Sequence, residues 1–304
     1  MSETSSRVVL SGASGLLGGS LRRALEALGI PTLQLVRGAT AAQGQLEWNP
    51  AVEPAVADTA ALEGCAAAVH LSGANVAGHR WTAAYRQEMT TSRVDSTRAL
   101  ASLLAGLRKP PNTLLVASAV GIYGDRDDEL LDETSPPGKG FLADLCHEWE
   151  AAAQPAVEAG IRVAHLRFGV VLGPGPGALA RMLPLFRLGL GGRLGNGRQW
   201  MSWISLEDAM RAVLFALETP ALAGPVNLTA PRPVTNAEFT GALARQLQRP
   251  AFLPAPAFAL RLALGQMADE ALLASTRAVP SRLLAAGFRF AHPTVDKALA
   301  AALP

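Results

Sequence analysis

Short apolar runs of strand length alternate along this chain with longer stretches whose apolar positions recur at helical spacing. Residues 8–10, 33–36, 45–48, 67–71, 113–117 and 162–166 read as strands, and helical segments fall between most of them. The first helix is the clearest: Leu17, Leu21, Ala24, Leu25 and Leu28 share one face, and Gly29 ends it. The spacing predicts one long helix over 82–107 and another over 148–159. Such alternation implies an α/β fold, a doubly wound parallel sheet with helices on both faces. After Gly173 the texture changes. Gly173-Pro174-Gly175-Pro176-Gly177 is a loop, residues 188–200 are glycine-rich, and residues 250–304 read as helices behind a proline-rich start.

The first strand runs directly into Gly12-x-x-Gly15-x-x-Gly18 and then into a helix. One glycine permits the tight turn, another lets backbone approach phosphate oxygens, and the third lets the helix pack closely on the sheet. The first helical turn then points its N–H groups at an anion, so this stretch predicts a bound dinucleotide. The second strand ends Val36-Arg37-Gly38 with no acid beside it. A carboxylate there would take the adenosine ribose hydroxyls of NAD, whereas an arginine pairs with a 2′-phosphate, so the expected cofactor is NADP(H). The competing reading is a solvated charge at a strand end.

At 304 residues, with 49% hydrophobic and 17% charged residues, the chain is long enough for a cofactor domain plus a smaller appended one. A net charge of +2 with no Lys/Arg block argues against a nucleic-acid or membrane surface. The polar start from Met1 to Arg7 lacks an apolar signal core, and no apolar stretch is long enough to span a bilayer, so a cytoplasmic location is expected. The two cysteines, Cys65 and Cys146, are too far apart to suggest a local metal clip, and no metal site is expected.

In order along the chain, Gly12-x-x-Gly15-x-x-Gly18, His70-Leu71-Ser72-Gly73, Ser118 to Gly124 and Arg167 to Pro174 resemble the extended short-chain dehydrogenase/reductase superfamily. Gly78-His79-Arg80-Trp81, Ser92-Arg93, Phe141 to Glu150 and Gly197-Arg198-Gln199-Trp200 resemble its atypical "epimerase family protein" subgroup, which ends in a domain of unknown function. The resemblance implies a Rossmann domain over 1–172, also receiving about 204–228. A smaller substrate-side domain would take 173–203 and 229–304. It further implies cofactor contacts from Gly12, Ser14, Gly15, Leu16, Leu17, Gly18, Val36, Arg37, Leu71, Ser72, Gly73 and Val171. Arg93 stands where the superfamily has an asparagine, and Glu88 lies one turn earlier; both are expected at the nucleotide.

Superfamily catalysis uses a Tyr-x-x-x-Lys pair, in which the lysine lowers the phenol pKa and holds the nicotinamide ribose. That pair is absent. Four residues beyond Tyr85 and Tyr123 stand Met89 and Asp127, and four before the lysines 109, 139 and 297 stand Ala105, Ser135 and Pro293. Counting back from Glu150, the two positions hold Leu142 and Cys146. Ser118 is a candidate substrate contact or a strand-end cap. Tyr123 is a candidate proton donor if its pKa falls, or a packed aromatic. Cys146 is either a thiolate helped by His147 or, preferably, a buried cysteine filling the lysine's space. Arg80, Trp81, Arg198 and Trp200, with Arg193 nearby, are candidate substrate contacts, each with a purely structural alternative. Ser205 stands where the subgroup usually has histidine. The expected function is an NADP(H)-binding epimerase/dehydratase-like oxidoreductase of unknown substrate. The alternative is an inactive NADPH-binding sensor or interaction module.

Overall fold

The computed structural model describes residues 7–38 and 42–303, so the polar start at residues 1–6 lies outside the described residues. Seven strands form one parallel sheet: β1 (Val8–Ser11), β2 (Thr32–Val36), β3 (Gln45–Glu47), β4 (Ala67–His70), β5 (Thr113–Ala119), β6 (Arg162–Phe168) and β7 (Gly224–Leu228). Their order is β7-β6-β5-β4-β1-β2-β3. Register is direct, with Leu10 beside Gln34 on one side and Val69 on the other. The chain winds outward from β1 in one direction and from β4 in the other, so a crevice opens between the carboxyl ends of those two strands. β1 and β4 are buried along their whole length, which explains why their sequences are short and carry no alternation.

Helix α1 (Leu16–Ala27) lays fully buried Leu21 and Leu25 on the sheet beside Leu10, and each such burial contributes roughly 1.5–3 kcal/mol. The periodic stretch at 82–107 forms one helical run with a fault in it. Helix α2 (Ala83–Thr90) passes into a π-turn at Thr91–Asp95 and then into α3 (Ser96–Ala105). The second long helix differs from expectation. It starts earlier, as α4 (Phe141–Ala151), and the chain restarts at α5 (Gln154–Glu158), where Pro155 occupies an initial position it can only tolerate at a helix start. Strand β7 was not visible in the pattern because Pro225 and Asn227 interrupt it; Pro225 is tolerated because β7 is an edge.

A second, smaller core gathers Leu172, Phe186, Trp203, Phe239, Leu243 and Leu299 under helices from the later part of the chain. Short strand pairs tie the two parts together: Val170–Leu172 with Trp203–Ser205, and Leu130–Leu131 with Arg277–Ala278. No helix among the described residues is long and apolar enough to cross a membrane. Among the same residues, no cluster of His, Cys, Asp and Glu could hold a metal ion.

Candidate cofactor site

A cavity of about 1220 Å³ opens at the β1–β4 crevice. Its floor is the turn after β1, with Gly12, Ser14 and Gly15, and the turn after β4, with Leu71, Ser72 and Gly73. Its far wall comes from Val36 and Arg37 at the end of β2, and Glu88 of α2 faces it from above. At Gly12 and Gly18 no side chain fits. Gly12 has φ +74, and a Cβ on it would stand 2.6 Å from the Leu71 carbonyl carbon. A Cβ on Gly18 would stand 2.2 Å from the Gly12 oxygen, so α1 can only approach the turn this closely without one. No side chain caps α1 and its first turn holds no acid, which leaves the amides free for an anion. These residues fit a dinucleotide pyrophosphate.

Five expected cofactor contacts lie outside the cavity wall. Gly18 is buried beneath the turn, Leu17 packs on the core, and Leu16 is covered by the loop at Gly175 and Gly177. Val171 pairs with Ile204, and Arg93 is buried behind Gly73. Conversely, the cavity takes residues the sequence reading missed. Arg22 on α1 lines it, as do Gln34, Gln45, Trp48, Asn49, Thr91, Ser92, Asp95 and Ser96. Arg22 carried a usable signal: it lies seven residues, two turns, beyond Gly15 and so returns to the same side of the helix. Its guanidinium pairs with Glu26 at 2.5 Å. Below the cavity, His70 is fully buried, with Nδ1 2.6 Å from Ser11 Oγ and Nε2 3.1 Å from Ser96 Oγ. Burial lowers its pKa to about 4, so a neutral imidazole holds the ends of β1, β4 and α3 in register.

Two strands away the carboxyl edge is built differently. Ser118 Oγ donates to Glu150 Oε1 at 2.7 Å, and Arg167 donates to both oxygens of Glu150 at 2.8 Å. Arg167 also donates to the Tyr123 hydroxyl at 3.0 Å, and that hydroxyl donates to Asn227 Oδ1 at 2.7 Å. Burial opposes the Arg167 charge, but Glu150 outweighs it and the guanidinium is held charged. Tyr123 as a proton donor needed a lowered pKa and a path to substrate. Its side chain is fully buried, and burial raises its pKa against the smaller pull of Arg167. Of the two alternatives for Tyr123, this placement matches the packed aromatic rather than the proton donor. Ser118 is nearly as buried, with its hydrogen committed to Glu150.

Cys146 is buried beside Leu142 and Gly121, and burial pushes its thiol up to about 12, so it stays protonated. His147 is exposed on the other side of α4. Trp81 is buried, spending its indole N–H on the Val76 carbonyl and its edge on Phe141. Arg80 is exposed beside Gly265, and Arg193 and Arg198 are exposed on the glycine-rich turn. Trp200 is half-buried under the Arg277 guanidinium, 4.1 Å from its ring centre. Residues 265–273 run from Gly265 beside Arg80 to Leu273 beside Gly195 on the glycine-rich turn. Ser205 caps the helix Leu206–Glu218, and the imidazole of His292 arrives from the C-terminal segment, 3.1 Å from its Oγ.

Residues 8–228 match the NAD dependent epimerase/dehydratase family, and residues 255–302 match a domain of unknown function, DUF1731. The chain is 49% identical over 292 residues to the epimerase family protein Mb2239 of Mycobacterium bovis, covering 96% of each. It is 33% identical to the human epimerase family protein SDR39U1, over 96% of this chain and 98% of that one. A crystal structure of human SDR39U1 (isoform 2) with NADPH superimposes with a TM-score of 0.89, covering 97% of this chain and 98% of that one.

Proposed function

The chain belongs to the NAD dependent epimerase/dehydratase family, and we propose that it is an NADP(H)-binding, epimerase/dehydratase-like oxidoreductase that works without the Tyr-x-x-x-Lys pair. The observation that carries the cofactor choice is the pair of guanidiniums, Arg22 on α1 and Arg37 at the end of β2, that line the same cavity. Guanidinium forks suit a 2′-phosphate and would find nothing comparable on NAD. The NADPH in the human SDR39U1 structure supports the same choice.

Bound NADP(H) would supply hydride chemistry at the carboxyl edge of the sheet. The chain's own residues place and hold the groups around it. The glycine turns and α1 amides take the pyrophosphate, and Arg22 and Arg37 take the 2′-phosphate. Ser118 is the hydroxyl assigned to proton handling: with its hydrogen on Glu150 Oε1, its lone pairs are left to accept from a substrate hydroxyl. Transfer of that proton to Ser118 Oγ would send the serine proton to Glu150. Arg167 holds both Glu150 oxygens and so fixes the acceptor of the serine proton in place. The same clamp favours the second reading, a protein that holds NADPH as a sensor or partner platform.

Titrating the protein with NADPH and NADH side by side tests the cofactor assignment. NADPH should bind more tightly by about tenfold or more, and Arg37→Ser should remove most of the difference. Equal or tighter NADH binding overturns it. Following NADPH absorbance against a panel of carbonyl compounds, with Ser118→Ala alongside, separates enzyme from module. Oxidation lost in Ser118→Ala supports the serine route. Oxidation with no compound favours the module.

A further inference from the structure

We propose that Arg93 replaces the positive charge of the lysine this chain lacks, acting as a positioning residue through the Gly73 backbone on the nicotinamide-side phosphate and ribose of the bound dinucleotide; this rests on the cofactor reading above. Its guanidinium is buried, at 8% exposure. Nη1 donates to the Met89 carbonyl at 3.2 Å and Nη2 to the Ala74 carbonyl at 2.8 Å. The Trp149 ring lies 5.1 Å from Cζ. Among the described residues no carboxylate pairs with it. Two neutral carbonyls and an aromatic face hold the group in place without neutralising it. A buried cation left in that condition is costly, and an anionic ligand with hydroxyls beside it would remove the cost.

The location selects which part of the ligand. Cζ lies 3.2 Å from where a Cβ on Gly73 would stand, and Gly73 lines the cavity. Only one backbone layer without a side chain therefore separates the charge from the cavity. On its other side the guanidinium packs against α4 through Trp149, and α4 also carries Cys146. Cys146 occupies the lysine position on α4, so the cation stands on the nicotinamide side, away from Arg22 and Arg37 at the adenosine end. The π-turn at Thr91–Asp95 contains Arg93, and such turns interrupt helices most often at functional sites. Loss of the lysine and gain of this arginine keep one positive charge at the same end of the cofactor.

Two probes separate the halves: NADPH, and adenosine 2′,5′-bisphosphate, which lacks the nicotinamide-side phosphate and ribose. Binding of each is measured by calorimetry on wild type, Arg93→Lys and Arg93→Met, with a thermal melt to show that each is folded. Arg93→Met should weaken NADPH by about tenfold or more and leave the bisphosphate within about twofold, and Arg93→Lys should recover part of the loss. Equal weakening of both probes, or no weakening of NADPH, in a wild-type background that binds both overturns this proposal alone. The same holds if Arg93→Met fails to fold and Arg93→Lys binds NADPH as wild type does with no change in the bisphosphate. Wild-type protein that binds neither probe overturns the cofactor reading and this proposal with it.

Discussion

Between β1 and β4 the sheet edge ends in bare glycine turns around an open cavity, whereas between β5 and β6 it ends in Ser118, Glu150, Arg167, Tyr123 and Asn227 bonded to one another. Both places sit at the carboxyl edge, where ligands bind in doubly wound folds. At the first, the amides of the first turn of α1 have no side-chain cap, and Arg93 behind Gly73 has no carboxylate among the described residues, although Arg22 pairs with Glu26. At the second, each charge has its counter-charge and each hydroxyl its acceptor, so the groups brace one another and only the lone pairs of Ser118 Oγ are left over. Arg93 and Arg167 make the point in one residue type. Both are buried, but only Arg167 has a carboxylate. An unpaired buried guanidinium points outward to chemistry; a paired one points inward to stability.

The severest break in this comparison is Arg167→Met. It strands Glu150, and the fold should lose about 3–5 kcal/mol in chemical denaturation, while the NADPH affinity of the folded protein stays unchanged. A lowered affinity with unchanged stability would reverse the assignment of the two regions. Acid should act at the other region, through His70. The unfolded chain takes up a proton below about pH 6.5 but the folded one only near 4, so stability is complete above 6.5 and falls as pH falls. The slope is about 1.4 kcal/mol per pH unit in that window, and His70→Gln should flatten it. Tyr123→Phe should cost about 1–3 kcal/mol of stability by orphaning Asn227 and Arg167, with no effect on NADPH binding. The smallest effect is expected from Arg22→Ala. Because Arg22 is only half-buried and already shares its charge with Glu26, NADPH affinity should drop by about fivefold or less.

The cradle was legible because its determinants are local. Gly12, Gly15 and Gly18 are read from one strand-to-helix junction, and Arg37 from the end of the next strand. Arg22 was missed although helical period alone returns it to the cavity. The network joining Ser118, Glu150, Arg167, Tyr123 and Asn227 was not legible, because its partners lie 17 to 104 positions apart and meet only through sheet order and the packing of α4. For the same reason Ser205 read as a lost histidine, while His292 supplies an imidazole beside it from 87 positions away.

By itself the sequence determined a doubly wound sheet, a dinucleotide turn and the absence of Tyr-x-x-x-Lys. Each follows from residue spacing over a turn or two, or from a search of the chain for a short motif. Tertiary structure decided what each buried polar group is for. The cost of a charge depends on whether a counter-charge lies within a few ångströms, and burial and strand order set that distance. Arg93 and Arg167 are identical as letters; the fold gave Arg167 a carboxylate and left Arg93 behind Gly73 without one.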